Sequence, residues 1–261
     1  MIDTHCHLDL EPLVLHLPPL LQEAVSSGVS GYVVPGVHPG GWHKISEIAT
    51  EYPQIFPAFG IHPMHADSAD DQVLEQLTRF AKQGVAIGET GLDPTRAAPM
   101  AKQEAVFREQ IRLALMLGLP LLIHCRKAFQ RTLQIMREEK ADQVGGIMHA
   151  FSGSVEMSRD FIRLGFLISI SGTITWPNAV KPIRLAGETP LEHLVLETDA
   201  PDMTPQKYRR RFNRPAWMLE TALRLADIKG IPLQELSAIT TANAVRILRL
   251  PVRGCVIISS Y

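Results

Sequence analysis

The chain has 261 residues, with 26 Lys and Arg against 27 Asp and Glu and a formal net charge of −1 when its 10 His are neutral. This balance excludes binding of nucleic acid through bulk positive charge, and 46% hydrophobic with 20% charged residues excludes the disordered and fibrous classes. Three cysteines, Cys6, Cys125 and Cys255, are too few for a disulfide framework. In chain order, short apolar or β-branched runs predict strands over Met1–Thr4, Gly31–Pro35, Ile55–Gly60, Val85–Gly88, Pro120–His124, Gly146–His149, Phe166–Ser171 and Leu194–Thr198. Amphipathic stretches separate them. In Lys102–Leu117, Val106, Phe107, Ile111, Ala114 and Leu115 recur at helical steps, and Gly118 supplies the stop.

Alternating strands and helices imply a parallel sheet, and eight repeats at this length point to a closed (β/α)₈ TIM barrel rather than an open doubly wound sheet. No linker or repeat divides the chain, so one domain is expected over 1–261, with a tail from about 250 whose segment Val252–Tyr261 reads as strand-like or loose. No run approaches the roughly 18 apolar residues that cross a bilayer, and the N-terminus lacks a signal-peptide pattern. No membrane association and a cytoplasmic location are expected. Glycine-rich dinucleotide and phosphate-loop fingerprints are absent from the sequence, so no nucleotide cofactor is expected.

The ionisable residues crowd the C-terminal ends of the predicted strands. His5 and His7 end the first, and in an extended chain alternation points both imidazoles to one side. Glu89, His124, His149 and Asp199 each follow an apolar run. In a parallel barrel these ends surround one mouth, where barrel enzymes place their chemistry. Four imidazoles and two carboxylates suit divalent transition ions, and six ligands exceed one closed tetrahedral site. A two-cation centre bridged by a shared carboxylate follows, with Glu89 as the candidate bridge.

The runs Asp3-Thr4-His5-Cys6-His7-Leu8-Asp9, Gly88-Glu89-Thr90-Gly91-Leu92-Asp93, His124-Cys125-Arg126, His149-Ala150-Phe151-Ser152-Gly153-Ser154 and Glu197-Thr198-Asp199-Ala200-Pro201 resemble the signatures of the TatD family of metal-dependent hydrolases. Gln103 and Phe107 resemble it too, and the wording Ala200-Pro201-Asp202-Met203 is closest to the YjjV branch. The resemblance implies a (β/α)₈ barrel with two divalent cations (Zn, Mn or Mg) that hydrolyses phosphodiester bonds, acting on DNA ends or short oligonucleotides. It places one cation on His5, His7 and Asp199 and the other on His124 and His149, with Glu89 between them. Asp199 is then the expected general base and proton shuttle.

His62 resembles the histidine of the family's Gly-x-His-Pro element, which implies that it bonds a substrate phosphate, while His65 has no assigned role. Arg126 either reaches the same phosphate or pairs with Asp93 or Glu197. Asp9 and Asp93 are read as groups that orient the histidines, and Cys6 and Cys125 as small buried side chains facing the barrel wall. The stretch from Lys207 to Pro215 holds five basic and two aromatic residues, a mixture suited to single-stranded nucleic acid. Within it Arg211, Asn213 and Pro215 resemble the family's Arg-Asn-x-Pro element, with Phe212 inserted, so Arg211 and Asn213 are candidate substrate contacts and Arg210 and Arg214 are rivals to Arg211. The alternative activity is amidohydrolase-type cleavage of a small ester, lactone or amide. Many such enzymes bridge their metals with a carboxylated Lys, and no Lys stands at position 89. A third reading, a metal-storing barrel without turnover, leaves Asp199 without a purpose.

Overall fold

A computed structural model describes residues 1–251, so the expected Val252–Tyr261 tail and Cys255 lie outside the described residues. The eight predicted strands are all present: β1 Ile2–Asp3, β2 Gly31–Pro35, β3 Ile55–Phe59, β4 Ala86–Leu92, β5 Leu121–Cys125, β6 Gly146–Met148, β7 Phe166–Ile170 and β8 Leu194–Leu196. Between and after them run α1 Leu17–Ser26, α2 Trp42–Glu51, α3 Asp71–Ala81, α4 Met100–Leu117, α5 Phe129–Glu138, α6 Val155–Arg163, α7 Val180–Glu188, α8 Met218–Lys229 and α9 Leu233–Leu248. All strand pairs are parallel and follow chain order from β1 to β8. The remaining gap, between β8 and β1, is bridged by Thr4 N–H donating to Leu196 O at 3.0 Å and Asp199 N–H donating to His5 O at 2.9 Å. This is the expected (β/α)₈ barrel.

Period-2 alternation sorts the strand residues. Val33, Ala58, Leu122, Ile147, Leu167 and Val195 form one buried cluster inside the barrel, joined by Ala244, Leu248 and Leu250 at the end of α9. Leu250 therefore belongs to the core, and the expected tail begins after it. Their neighbours, such as Tyr32, Phe59, Ile87, Ile123 and Ile168, pack under the helices in a second cluster. Helix α4 buries Val106, Phe107, Ile111 and Ala114, and it ends at Gly118, whose φ of 66° is the left-handed C-cap that glycine favours. Asp70 and Ser154 cap α3 and α6 by accepting the Val73 and Met157 amides.

Two departures matter for the site. β1 ends at Asp3, so His5 and His7 lie beyond the regular strand, and the alternation expected for them does not apply. Instead the Asp3 carboxylate accepts the His5 amide at 3.3 Å and bends the chain there. β4 does not stop at Gly88 but runs on to Leu92, with a register shift against β5 between Ile87 and Thr90. Among the described residues no helix is long and apolar enough to cross a membrane.

Candidate metal centre

Leu122 and Ile147 face the barrel interior, so His124 and His149, two positions further on, face the same way at its mouth; Asp199 lies three residues beyond β8 and meets them there, 3.7 Å from His149. Glu89 has the opposite parity to inward Ala86. The register shift in β4 is what accompanies its inward turn, and it is 3% exposed at the centre of the cluster. Its two oxygens face different partners. Oε2 lies 3.4 Å from His5 Nε2 and 4.0 Å from His7 Nε2. Oε1 lies 2.8 Å from His124 Nδ1, 3.7 Å from His62 Nε2 and 3.9 Å from His149 Nε2. Asp199 Oδ1 sits 3.6 to 3.9 Å from the Nε2 atoms of His7, His149 and His5. Asp199 and Ala150 carry positive φ values of 56° and 43°, a backbone conformation costly for non-glycine residues and concentrated at functional sites.

The donor set fits a divalent cation. Ligand atoms of His5, His7 and Asp199 lie within 4.8 Å of one another, and Glu89 Oε1 lies within 3.9 Å of both His124 and His149. Both ring nitrogens of His5 and Nδ1 of His7 are buried with no hydrogen-bond partner, an arrangement that costs about 1–3 kcal/mol per group unless something takes up their lone pairs or protons. Burial, with the His149 ring stacked 3.5 Å away, lowers the His5 value and keeps that imidazole in its neutral, ligating form. Burial alone would raise Glu89 and Asp199, but the surrounding imidazoles outweigh it and lower both, Glu89 well below the usual carboxylate range. Conversely, Glu197 and Asp199 overcome burial and raise His149 to about 10. Asp199 and Glu89 likewise overcome burial and raise His7 to about 9, so the charge of the two carboxylates is balanced by protons that a bound cation would displace.

A shell of hydrogen bonds orients these side chains. His149 Nδ1 meets Glu197 Oε2 at 3.0 Å, leaving Nε2 for the cluster. Glu197 lies within ligand distance of His5 and His149, and with both oxygens bonded, to His149 Nδ1 and the Ala150 amide, it is placed to orient the His149 ring. His124 Nε2 meets Asp93 Oδ2 at 3.3 Å, in agreement with the orienting role read for Asp93. Gln103 on α4 holds Asp93 in turn, accepting its amide at 2.9 Å. The Asp3 carboxylate accepts Thr198 N–H at 2.9 Å and Thr198 O–H at 2.6 Å across the seam, fixing the approach to Asp199. Asp9 sits close enough for the His7 charge to act on it, yet its Oδ1 is buried without a partner.

His62 is 4% exposed. Its Nδ1 accepts the Met64 amide at 3.0 Å, and burial lowers the ring to about 3. The neutral ring therefore carries its proton on Nε2, so His62 offers the cluster a donor and no lone pair, which suits a phosphoryl oxygen and not a metal. Burial pushes the Cys6 and Cys125 thiols up, Cys125 to about 12, as suits inert side chains.

The basic loop is arranged differently from expectation. Asn213 is fully buried, and its amide donates to Thr198 O and Asp202 O, both at 2.8 Å. Both donors are spent on the backbone around Asp199, so the Asn213 amide holds that segment in place. Lys207 pairs with Glu220 at 2.6 Å and Arg214 with Glu23 at 2.9 Å. Arg211 lies 5.3 Å over the Trp217 ring. Arg126 is exposed and lines the mouth cavity. Asp93 is engaged by Arg96 and Thr95 in addition to His124, and Glu197 by His149 and Ala150, so of the two readings of Arg126 the pairing with Asp93 or Glu197 is taken up by other groups. Arg96, which also lines the cavity, went unnoticed in the sequence; its spacing three residues after Asp93 was the available signal.

The TatD related DNase family matches residues 2–249. The uncharacterized metal-dependent hydrolase YabD of Bacillus subtilis (strain 168) is 36% identical over 253 residues, covering 96% of this chain and 99% of YabD. The crystal structure of the TatD homolog YjjV from Escherichia coli K12 superposes with a TM-score of 0.91 at 31% identity, covering 96% of this chain and 98% of that one. The metal-dependent hydrolase YcfH of Escherichia coli (strain K12), also uncharacterized, is 33% identical over 257 residues, covering 96% of each chain. Likeness of this extent, over nearly the whole chain, places it in the TatD family of metal-dependent hydrolases.

Proposed function

We propose that the chain hydrolyses phosphodiester bonds in DNA ends or short oligonucleotides, using two divalent cations. His5, His7 and Asp199 would hold one, His124 and His149 the other, and Glu89 would bridge them. The observation that carries this reading is the division of Glu89, whose Oε2 faces His5 and His7 while Oε1 faces His124 and His149. Bound cations supply Lewis-acid charge and lower the pKa of water toward neutrality. The chain's own groups do the rest. Asp199, held ionised by its imidazole neighbours, accepts the proton of the attacking water and passes it to the leaving oxygen. His62 donates from Nε2 to a phosphoryl oxygen, and Arg126 and Arg96 at the cavity wall meet the neighbouring phosphate.

Metal analysis of protein purified without added metal, followed by reconstitution with Zn, Mn or Mg, tests the reading. The substrates are single- and double-stranded DNA, RNA, p-nitrophenyl phosphate and a small carboxylic ester. Cleavage of DNA that disappears in folded His124→Ala and Glu89→Ala supports it. Turnover of the ester alone replaces it with the amidohydrolase-type activity.

A further inference from the structure

A cavity of about 540 Å³ opens from the metal centre toward the loop that follows β7. Its charged lining lies at one end: Arg96, Arg126, His124, His149, Asp199 and Asp202 stand on or just after the strand ends. Along the loop after β7 and the start of α7 the lining is uncharged, with Thr173, Trp176, Asn178, Ala179 and Pro182. A ligand that fills this space carries an anionic head at the metal end and a neutral group with polar edges at the other. The far wall is built to be rigid. Trp176 Nε1 donates to Thr204 O at 2.9 Å, and Thr175 Oγ1 accepts the Gln206 amide at 2.8 Å, so the loops after β7 and β8 form one surface. The Arg209 guanidinium lies 4.7 Å over the Trp176 ring. Trp176 lines the cavity and Arg209 does not. Of the other aromatic rings near the basic loop, Tyr208 and Trp217 stack on each other at 4.1 Å, and Phe212 is exposed and does not line the cavity.

We propose that Trp176, backed by Arg209, is the platform on which the base of the nucleotide at the metal centre stacks, making it a specificity determinant for base-bearing substrates. The inference rests on the phosphodiesterase reading. A flat indole ring held by its N–H and a guanidinium presents a fixed π-surface at little further entropic cost, and stacking of one base on such a ring contributes a factor of roughly 5 to 150 in affinity. Arg211, the basic residue that the sequence put forward, lies on Trp217 instead.

The test compares binding of thymidine 5′-monophosphate and of 2-deoxyribose 5-phosphate to the metal-loaded protein by calorimetry, which needs no turnover. Wild type is expected to prefer the base-bearing ligand by at least about fivefold, Trp176→Ala to lose that preference while binding the sugar phosphate as before, and Trp176→Phe to keep most of it. Arg209→Ala, which leaves the ring unbacked, is expected to fall between wild type and Trp176→Ala. No preference in wild type, or one that survives Trp176→Ala at unchanged metal content, overturns the platform even if DNA is hydrolysed. If the preference is lost in Trp176→Ala but no DNA is cleaved by wild type, the phosphodiesterase reading falls and the nucleotide site stands.

Discussion

Glu197→Gln tests whether the metal centre is held from behind. Both oxygens of Glu197 are occupied, Oε1 by Ala150 N–H at 2.8 Å and Oε2 by His149 Nδ1 at 3.0 Å. Both partners donate when His149 turns Nε2 toward the cluster, and a glutamine offers one oxygen where glutamate offers two. One buried donor is therefore left against an NH₂ group, at a position with no solvent exposure. An unpaired buried donor costs about 1–3 kcal/mol. Loss of an outer partner of a metal-binding histidine costs 10- to 100-fold in metal affinity or activity, about 1.4 to 2.8 kcal/mol, so the two routes agree. The assay is competition between the protein and a chromophoric chelator, with circular dichroism to confirm that the variant is folded. Affinity weakened by roughly 10- to 100-fold is expected. A folded variant that binds metal within about threefold of wild type would refute the reasoning, because His149 would then be oriented without its carboxylate.

Three further outcomes follow from the geometry. Removing one phosphate contact from a single strand reduces the slope of log affinity against log salt by about 0.7; Arg126→Ala should show this for oligonucleotide binding, whereas Lys207→Ala, whose charge is already paired with Glu220 at 2.6 Å, should not, and equal slopes would remove Arg126 from the phosphate path. Burial raises Asp3 from 3.8 to about 7, so the folded state keeps a proton that the unfolded chain has lost, and this contribution is full below pH 3.8 and gone as the pH rises through 7. Relative to Asp3→Asn at equal metal load, wild type should lose stability from about pH 4 to 7 with a slope of at most about 1.4 kcal/mol per pH unit, measured by urea unfolding, and parallel curves would show that Asp3 is ionised throughout. At Gly88, with φ of 158°, a Cβ would stand 2.6 Å from Leu122 Cβ and 2.8 Å from Leu122 O; Gly88→Ala must push β4 from β5 and carry Glu89 with it, so bound metal per protein should fall together with a loss of about 1–3 kcal/mol in stability, and wild-type metal content at unchanged stability would contradict this.

What could be read from the sequence, and what could not, follows from the range of the interactions. The barrel and its mouth were legible because period-2 alternation is local: once Leu122 and Ile147 are buried on one face, His124 and His149 have to share it. Glu89 was put at the end of β4, but the strand runs on to Leu92, and the inward direction of Glu89 depends on a register shift between β4 and β5 that composition does not encode. The basic loop misled for a related reason. A run of cations looks free until its partners are known, and the Glu23 that pairs with Arg214 lies 191 residues away. Asn213 looked available because nothing local shows that its amide is used by Thr198 O and Asp202 O. The least legible contacts are those across the seam, where Asp3 meets Thr198 at a separation of 195 residues. That seam also joins His5 to Asp199, through the Asp199 amide and the His5 carbonyl at 2.9 Å, so the ligands proposed for one cation come from beyond the first and the last strand and meet only when the barrel closes. Cation affinity in such a site includes part of the free energy of closing it, and a cation bound by His5, His7 and Asp199 would in turn hold the first and last strands together.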